Sequence, residues 1–95
     1  MEPKPMQRPD PYVVCRFLER LWREGDAMLK THLQRGVRLN YDLFVKYLEW
    51  MLAKGLVRLE HFDEGTEKVR ITPKGVEAYE RLVRWMRDFV SSSLR

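Results

Sequence analysis

Six Lys or Arg side chains (Lys30, Arg35, Arg38, Lys46, Lys54 and Arg58) fall between Ala27 and Leu59, where only Asp42 and Glu49 carry negative charge. Cations in such excess, set around a stretch that also offers Asn40, Tyr41 and Asp42, suit contact with phosphate oxygens and with the donor and acceptor edges of bases. Lys68 and Arg70 follow an acidic run, Glu60 to Glu67, that holds four carboxyls and no Lys or Arg. Bond-breaking chemistry is not indicated. His32 and His61 stand in different segments without other ligands at metal-binding spacing. The scattered glycines form no phosphate-cradling loop, and most carboxylates neighbour a Lys or Arg, as surface ion pairs do. Cys15, the one cysteine, excludes an internal disulfide or a cysteine metal cluster and reads as a small buried hydrophobe. No enzyme, no catalytic or metal residue and no cofactor is expected.

The elements that would position these side chains follow from caps and periodicity. Asp10-Pro11 opens a helix that runs to Glu24, with Val14, Phe17, Leu18, Leu21 and Trp22 at three- and four-residue steps. Gly25 ends it in a left-handed conformation. Asp26 is then read as the cap of a second helix, Ala27 to about Arg35, that Gly36 breaks. Asn40 caps the third, braced by Leu39. At 100° per residue, Tyr41, Phe44, Tyr47, Leu48, Met51 and Leu52 share its inner face; Asp42, Lys46, Glu49 and Ala53 lie opposite. Gly55 stops it. Val57 to Phe62 alternates apolar and polar, Asp63-Glu64-Gly65-Thr66 supplies a turn, and Lys68 to Ile71 alternates back. Thr72-Pro73 opens a last helix to about Val90.

Helix, helix, helix, ribbon and long helix in that order describe a mainly α fold with a two-stranded β wing, a winged helix-turn-helix. The expected organisation is a flexible tail over 1–9, the winged domain over 10–71, and a C-terminal helix over 72–95 packed on it. At 95 residues, with 44% apolar content, this is one domain with a small core. Val76, Tyr79, Val83, Met86 and Val90 repeat at a 3-4-3-4 spacing, the seam of a coiled coil, and Leu82, Trp85 and Phe89 form a second apolar stripe. One apolar face closes a small core and a second needs another cover, so a homodimer through these eight residues is expected; the alternative is that the first helix covers the second stripe within the same molecule. No run of 18 apolar residues and no apolar signal core occurs, so the expectation is a cytoplasmic protein without a membrane partner.

Tyr47-Leu48-x-x-Met51-x-x-x-Gly55-Leu56-Val57, then a charged ribbon and Ile71-Thr72-Pro73-Lys74-Gly75, resembles the archaeal winged-helix family of small transcriptional regulators, over roughly residues 13 to 90. Some members dimerise through a long C-terminal helix. The resemblance implies binding of double-stranded DNA, with the third helix, Asn40 to Lys54, in the major groove. Asn40, Tyr41, Asp42, Val45, Lys46 and Glu49 would then face bases, while Lys30, Arg35, Arg38, Lys68 and Arg70 would meet phosphates. The partners implied are DNA and a second copy, with no small-molecule ligand. An acidic wing tip (Asp63, Glu64, Glu67) would be held off phosphate. The alternative is a protein-protein module, favoured by Trp50, Leu43 and that acidic wing.

Overall fold

The computed structural model describes residues 8–62 and 65–93; residues 1–7 of the expected tail, and Asp63 and Glu64 at the wing tip, lie outside them. Asp10 starts α1 (Pro11–Arg23): its carboxylate accepts the Tyr12 N–H at 2.8 Å, and Pro11, which has no N–H to leave orphaned, takes the first turn. Gly25 then turns the chain at φ 82°.

Asp26 does not cap a helix. Held at φ 81°, it donates its backbone N–H to the Leu21 carbonyl (2.8 Å), and its own carbonyl accepts the Ile71 N–H (2.9 Å). Ala27–Leu29 therefore becomes β1, a third strand where a helical turn was expected. Three apolar residues in a row carry no period, and pairing with a distant strand decided the matter. Helix α2 (Lys30–Val37) starts at Leu29 without a side-chain cap, runs through Gly36 rather than breaking there, and ends at Arg38 with φ 57°. Arg20 of α1 lies against Gly36, where an added Cβ would stand 2.8 Å from Arg20 Nε.

Asn40 caps α3 (Tyr41–Ala53) as expected, its side-chain oxygen accepting the Leu43 N–H at 2.9 Å. Strands β2 (Val57–His61) and β3 (Glu67–Ile71) form the wing, and the sheet order β1-β3-β2 is antiparallel throughout. In the register, Arg58 faces Arg70 and Glu60 faces Lys68. Alternation thus puts these four side chains on one face and sends Val57, Leu59, Val69 and Ile71 to the other, where Val57, Val69 and Ile71 are buried in the core.

The core sits where α1, α2, α3 and the sheet meet. Phe17 stacks on Phe44 with centroids 5.4 Å apart and lies 6.1 Å from Tyr47. The Tyr47 hydroxyl accepts the Asp10 N–H at 2.8 Å, which ties the start of α1 to α3. Cys15 is buried, as expected, and burial pushes its thiol pKa up, with Glu19 adding to the effect.

Helix α4 (Pro73–Ser93) is capped by Thr72, whose hydroxyl accepts the Gly75 N–H at 3.0 Å. Val76, Ala78, Tyr79 and Leu82 pack against the core, and the Trp22 ring of α1 sits 5.5 Å from Tyr79. Three residues of the expected dimer face, Val76, Tyr79 and Leu82, are thus partly covered within the protomer. Val83 and Met86 are half-buried, whereas Trp85, Phe89 and Val90 are more than half exposed. The reason is length: α4 has 21 residues and α1 has 13, a difference of about 12 Å at 1.5 Å per residue.

Candidate nucleic-acid interface

Arg38 and Asn40 set the turn between α2 and α3. The left-handed Arg38 ends α2, the Asn40 cap starts α3, and both are exposed. The core face of α3 is Phe44, Tyr47, Leu48 and Met51, which leaves Asp42, Lys46 and Glu49 in solvent with Val45 half-buried beside them. Tyr41, expected on the inner face, is 59% exposed, whereas Phe44 in the next turn of that face is buried. Leu43 is also exposed, and Trp50 is half-buried with the Lys54 ammonium 6.0 Å from its ring centroid. The outward face of α3 carries one cation and two carboxylates, so the helix by itself does not attract phosphate.

The basic residues divide into two groups. Among the described residues, Arg35, Arg38 and Lys46 have no carboxylate within 4.0 Å, and all three are exposed. The other basic residues expected to meet DNA, Lys30, Lys68 and Arg70, are engaged. Arg70 donates to Glu60 at 2.9 Å, and Arg58 reaches the same oxygen at 3.4 Å. The hydrogen bond from Arg70 is the largest cause that lowers the Glu60 pKa; the nearby positive charges of Arg70 and Arg58 act in the same direction against desolvation. Arg70 is raised in turn, chiefly by that hydrogen bond. Lys30 reaches Glu67 at 4.0 Å, and His61 lies 3.6 Å from the same carboxylate. Lys68 sits over the exposed Phe62 ring, 5.2 Å from its centroid. Glu60 and Glu67 are therefore paired to basic residues around the ribbon, and the sheet face still holds Arg58, Lys68 and Arg70 against the one carboxylate of Glu60.

A further basic surface went unrecognised in the sequence. Arg16, Arg20 and Arg23 of α1 border a cleft against α2 that Arg35 and Gly36 also line. Their spacing of four and three residues puts them on one stripe of α1; that signal was present, but only the packing of α1 on α2 brings Arg35 to it. Among the described residues no group of three His, Cys, Asp or Glu is placed to hold a metal ion, and no helix is long and apolar enough to cross a membrane.

The α1-β1-α2-α3-β2-β3-α4 order, with a helical turn pair beside a β ribbon, is matched by a family model described as winged helix-turn-helix over residues 12–88. The chain belongs to the winged helix-turn-helix family. Other winged-helix structures share its backbone. A MarR-family transcriptional regulator from Silicibacter pomeroyi superposes with TM-score 0.71 at 26% identity, covering 87% of this chain and 56% of its own. The DNA-binding protein Sso10a-2 from Sulfolobus solfataricus gives 0.75 at 18% identity, covering 90% of this chain and 88% of its own. A winged-helix DNA-binding protein from STIV gives 0.77 at 16% identity, covering 87% and 96%. The chain thus spans little more than half of the MarR-family regulator but nearly all of the two smaller winged-helix proteins. At such low identity the last two establish the fold alone. A search of curated proteins returns no match.

Proposed function

We propose that the chain is a dimeric, non-enzymatic DNA-binding protein of the cytoplasm, a transcriptional regulator or chromatin-like protein, with α3 in the major groove. The observation that carries this reading is the exposed first turn of α3, capped by Asn40 and bracketed by Arg35, Arg38 and Lys46, in a chain of winged-helix family. Base edges are met by Asn40, Tyr41, Asp42 and Lys46. Phosphates are met by Arg35 and Arg38, with Lys30, Lys68 and Arg70 joining as their carboxylate or ring partners yield. Two structural neighbours described as DNA-binding support it. The second copy docks through the later turns of α4, at Val83, Trp85, Met86, Phe89 and Val90.

The test is binding to random-sequence duplex DNA across a salt series. Each phosphate contact removed lowers the slope of log affinity against log salt by about 0.9, so Arg35→Glu with Arg38→Glu should weaken binding to every sequence and flatten the slope by about 2. Unchanged affinity in the double variant would mean that another surface is responsible. A second reading, a protein-protein module, is favoured by the acidic balance of the α3 face and by exposed Tyr41 and Leu43. Absence of wild-type binding even at low salt would decide for it.

A further inference from the structure

Helix α3 itself carries no arginine. Arg16, Arg20 and Arg23 follow one stripe of α1, and α2 contributes Arg35 and His32 across a cleft made of two adjoining concavities of about 170 and 330 Å³. Arg20 and Gly36 line both concavities, and the absence of a side chain at Gly36 is what lets the Arg20 guanidinium lie down between them. Arg20 Nε is buried and, among the described residues, has no hydrogen-bond partner. Two carboxylates share the site. Glu24 meets Arg20 at 3.6 Å and Glu19 meets Arg23 at 3.5 Å, with all four side chains more than 40% exposed. Pairs so exposed hold each other weakly and exchange readily for a stronger anion. Arg16 and Arg35 have no carboxylate within 4.0 Å among the described residues.

We infer that this cleft between α1 and α2 is a seat for the phosphate backbone of duplex DNA, separate from the α3 face and continuous with it through Arg35 and the Arg38 turn; the inference rests on the DNA-binding reading. A polyanion fits better than a single small anion, because the cleft is open and its cations are partly hydrated. One anion gains little there, whereas several linked phosphates release several counterions at once. The dimensions agree. Arg16 and Arg23 are seven residues apart, about 10 Å along the helix. A DNA strand carries one phosphate per about 3.4 Å of axis, so the stripe can run along roughly three phosphates.

The test compares the wild type with the double variant Arg16→Gln, Arg23→Gln, both at exposed positions, on a random-sequence duplex across a salt series, with thermal melting as the check on folding. The expected result is an unchanged melt, a log-log salt slope shallower by about 2, and roughly 10- to 100-fold weaker binding at 0.1 M salt. If the wild type binds and the variant matches it in affinity and slope, the cleft is not a contact and the α3 reading stands. A variant that binds more weakly with an unchanged slope also overturns the seat, since no counterion release was lost. If the wild type does not bind duplex DNA at all, both readings fall together.

Discussion

Gly75 and Glu60 show how single side chains govern this molecule. In the first turn of a helix, Gly→Ala ordinarily stabilises by up to about 1 kcal/mol. At Gly75 the sign reverses: an added Cβ would collide with the Leu56 carbonyl oxygen and stand 2.8 Å from Ile71 Cγ1. Backbone at this point is already fixed, because the Leu56 carbonyl accepts the Thr72 N–H at 3.1 Å. Gly75→Ala is expected to destabilise by about 1–3 kcal/mol, the usual cost of overpacking, as a lower urea midpoint. Glu60 has a folded pKa below its ordinary value of 4.5. A depressed carboxylate contributes stability that is present above the unfolded pKa and is lost as pH falls through the folded one. The stability of the wild type should therefore decline as pH drops below about 4.5, and Glu60→Gln should remove part of that decline. Equal acid dependence in the two proteins, measured by urea melts from pH 6 downward, would show that the Arg70–Glu60 pair contributes nothing to stability.

At the scale of elements, α4 is the one whose length exceeds what the protomer can cover. Its first half is settled by α1: Val76, Tyr79 and Leu82 pack on the core, and Trp22 lies against Tyr79. Its second half exposes Trp85 by 51% and Val90 by 52%. If a second copy covers this stretch, Trp85→Glu with Val90→Glu should yield a folded monomer, since neither residue belongs to the core. Sedimentation of the wild type as a dimer and of the variant as a monomer, with closely similar circular dichroism, is the expected pair of results. A wild type that sediments as a monomer at micromolar concentration would remove the dimer. The short strand β1 teaches the opposite lesson about elements. Three residues paired with β3 override a helical reading of Ala27–Leu29, because the ladder satisfies backbone groups that a helix start would have left open.

Over the whole molecule, charge is segregated rather than merely positive. Arginines gather at the α1–α2 cleft and the turn before α3, and Arg58, Lys68 and Arg70 line the outer sheet face, while four carboxyls occupy Glu60 to Glu67. Glu67 also holds Lys30 at 4.0 Å. Replacing Asp63, Glu64 and Glu67 with their amides should thus tighten non-specific DNA binding twice over, by removing repulsion and by releasing Lys30. The gain should be larger at low salt, where screening is weak. Anisotropy at two salt concentrations checks it, and weaker binding by a folded triple variant would make the acidic tip a contact.

The order of helices and wing strands, the caps at Asp10, Asn40 and Thr72, and the inner face of α3 at Phe44, Tyr47, Leu48 and Met51 could all be read from the chain, because each depends on neighbours within a few residues. β1, the passage of α2 through Gly36, the exposure of Tyr41, and the packing of Val76, Tyr79 and Leu82 against the protomer's own core could not. β1 and the packing of α4 each depend on a partner far along the chain, β3 for the one and α1 for the other. The same holds for the candidate site. Local spacing marks the cations around α3, but which of them remain unpaired, and that Arg35 joins Arg16, Arg20 and Arg23 at one cleft, is decided by the packing of α1 on α2 and by the register that sets Glu60 beside Arg70. Side-chain pairing across elements is a property of the tertiary fold, since Coulombic and hydrogen-bond partners are chosen by distance in space rather than by separation in sequence.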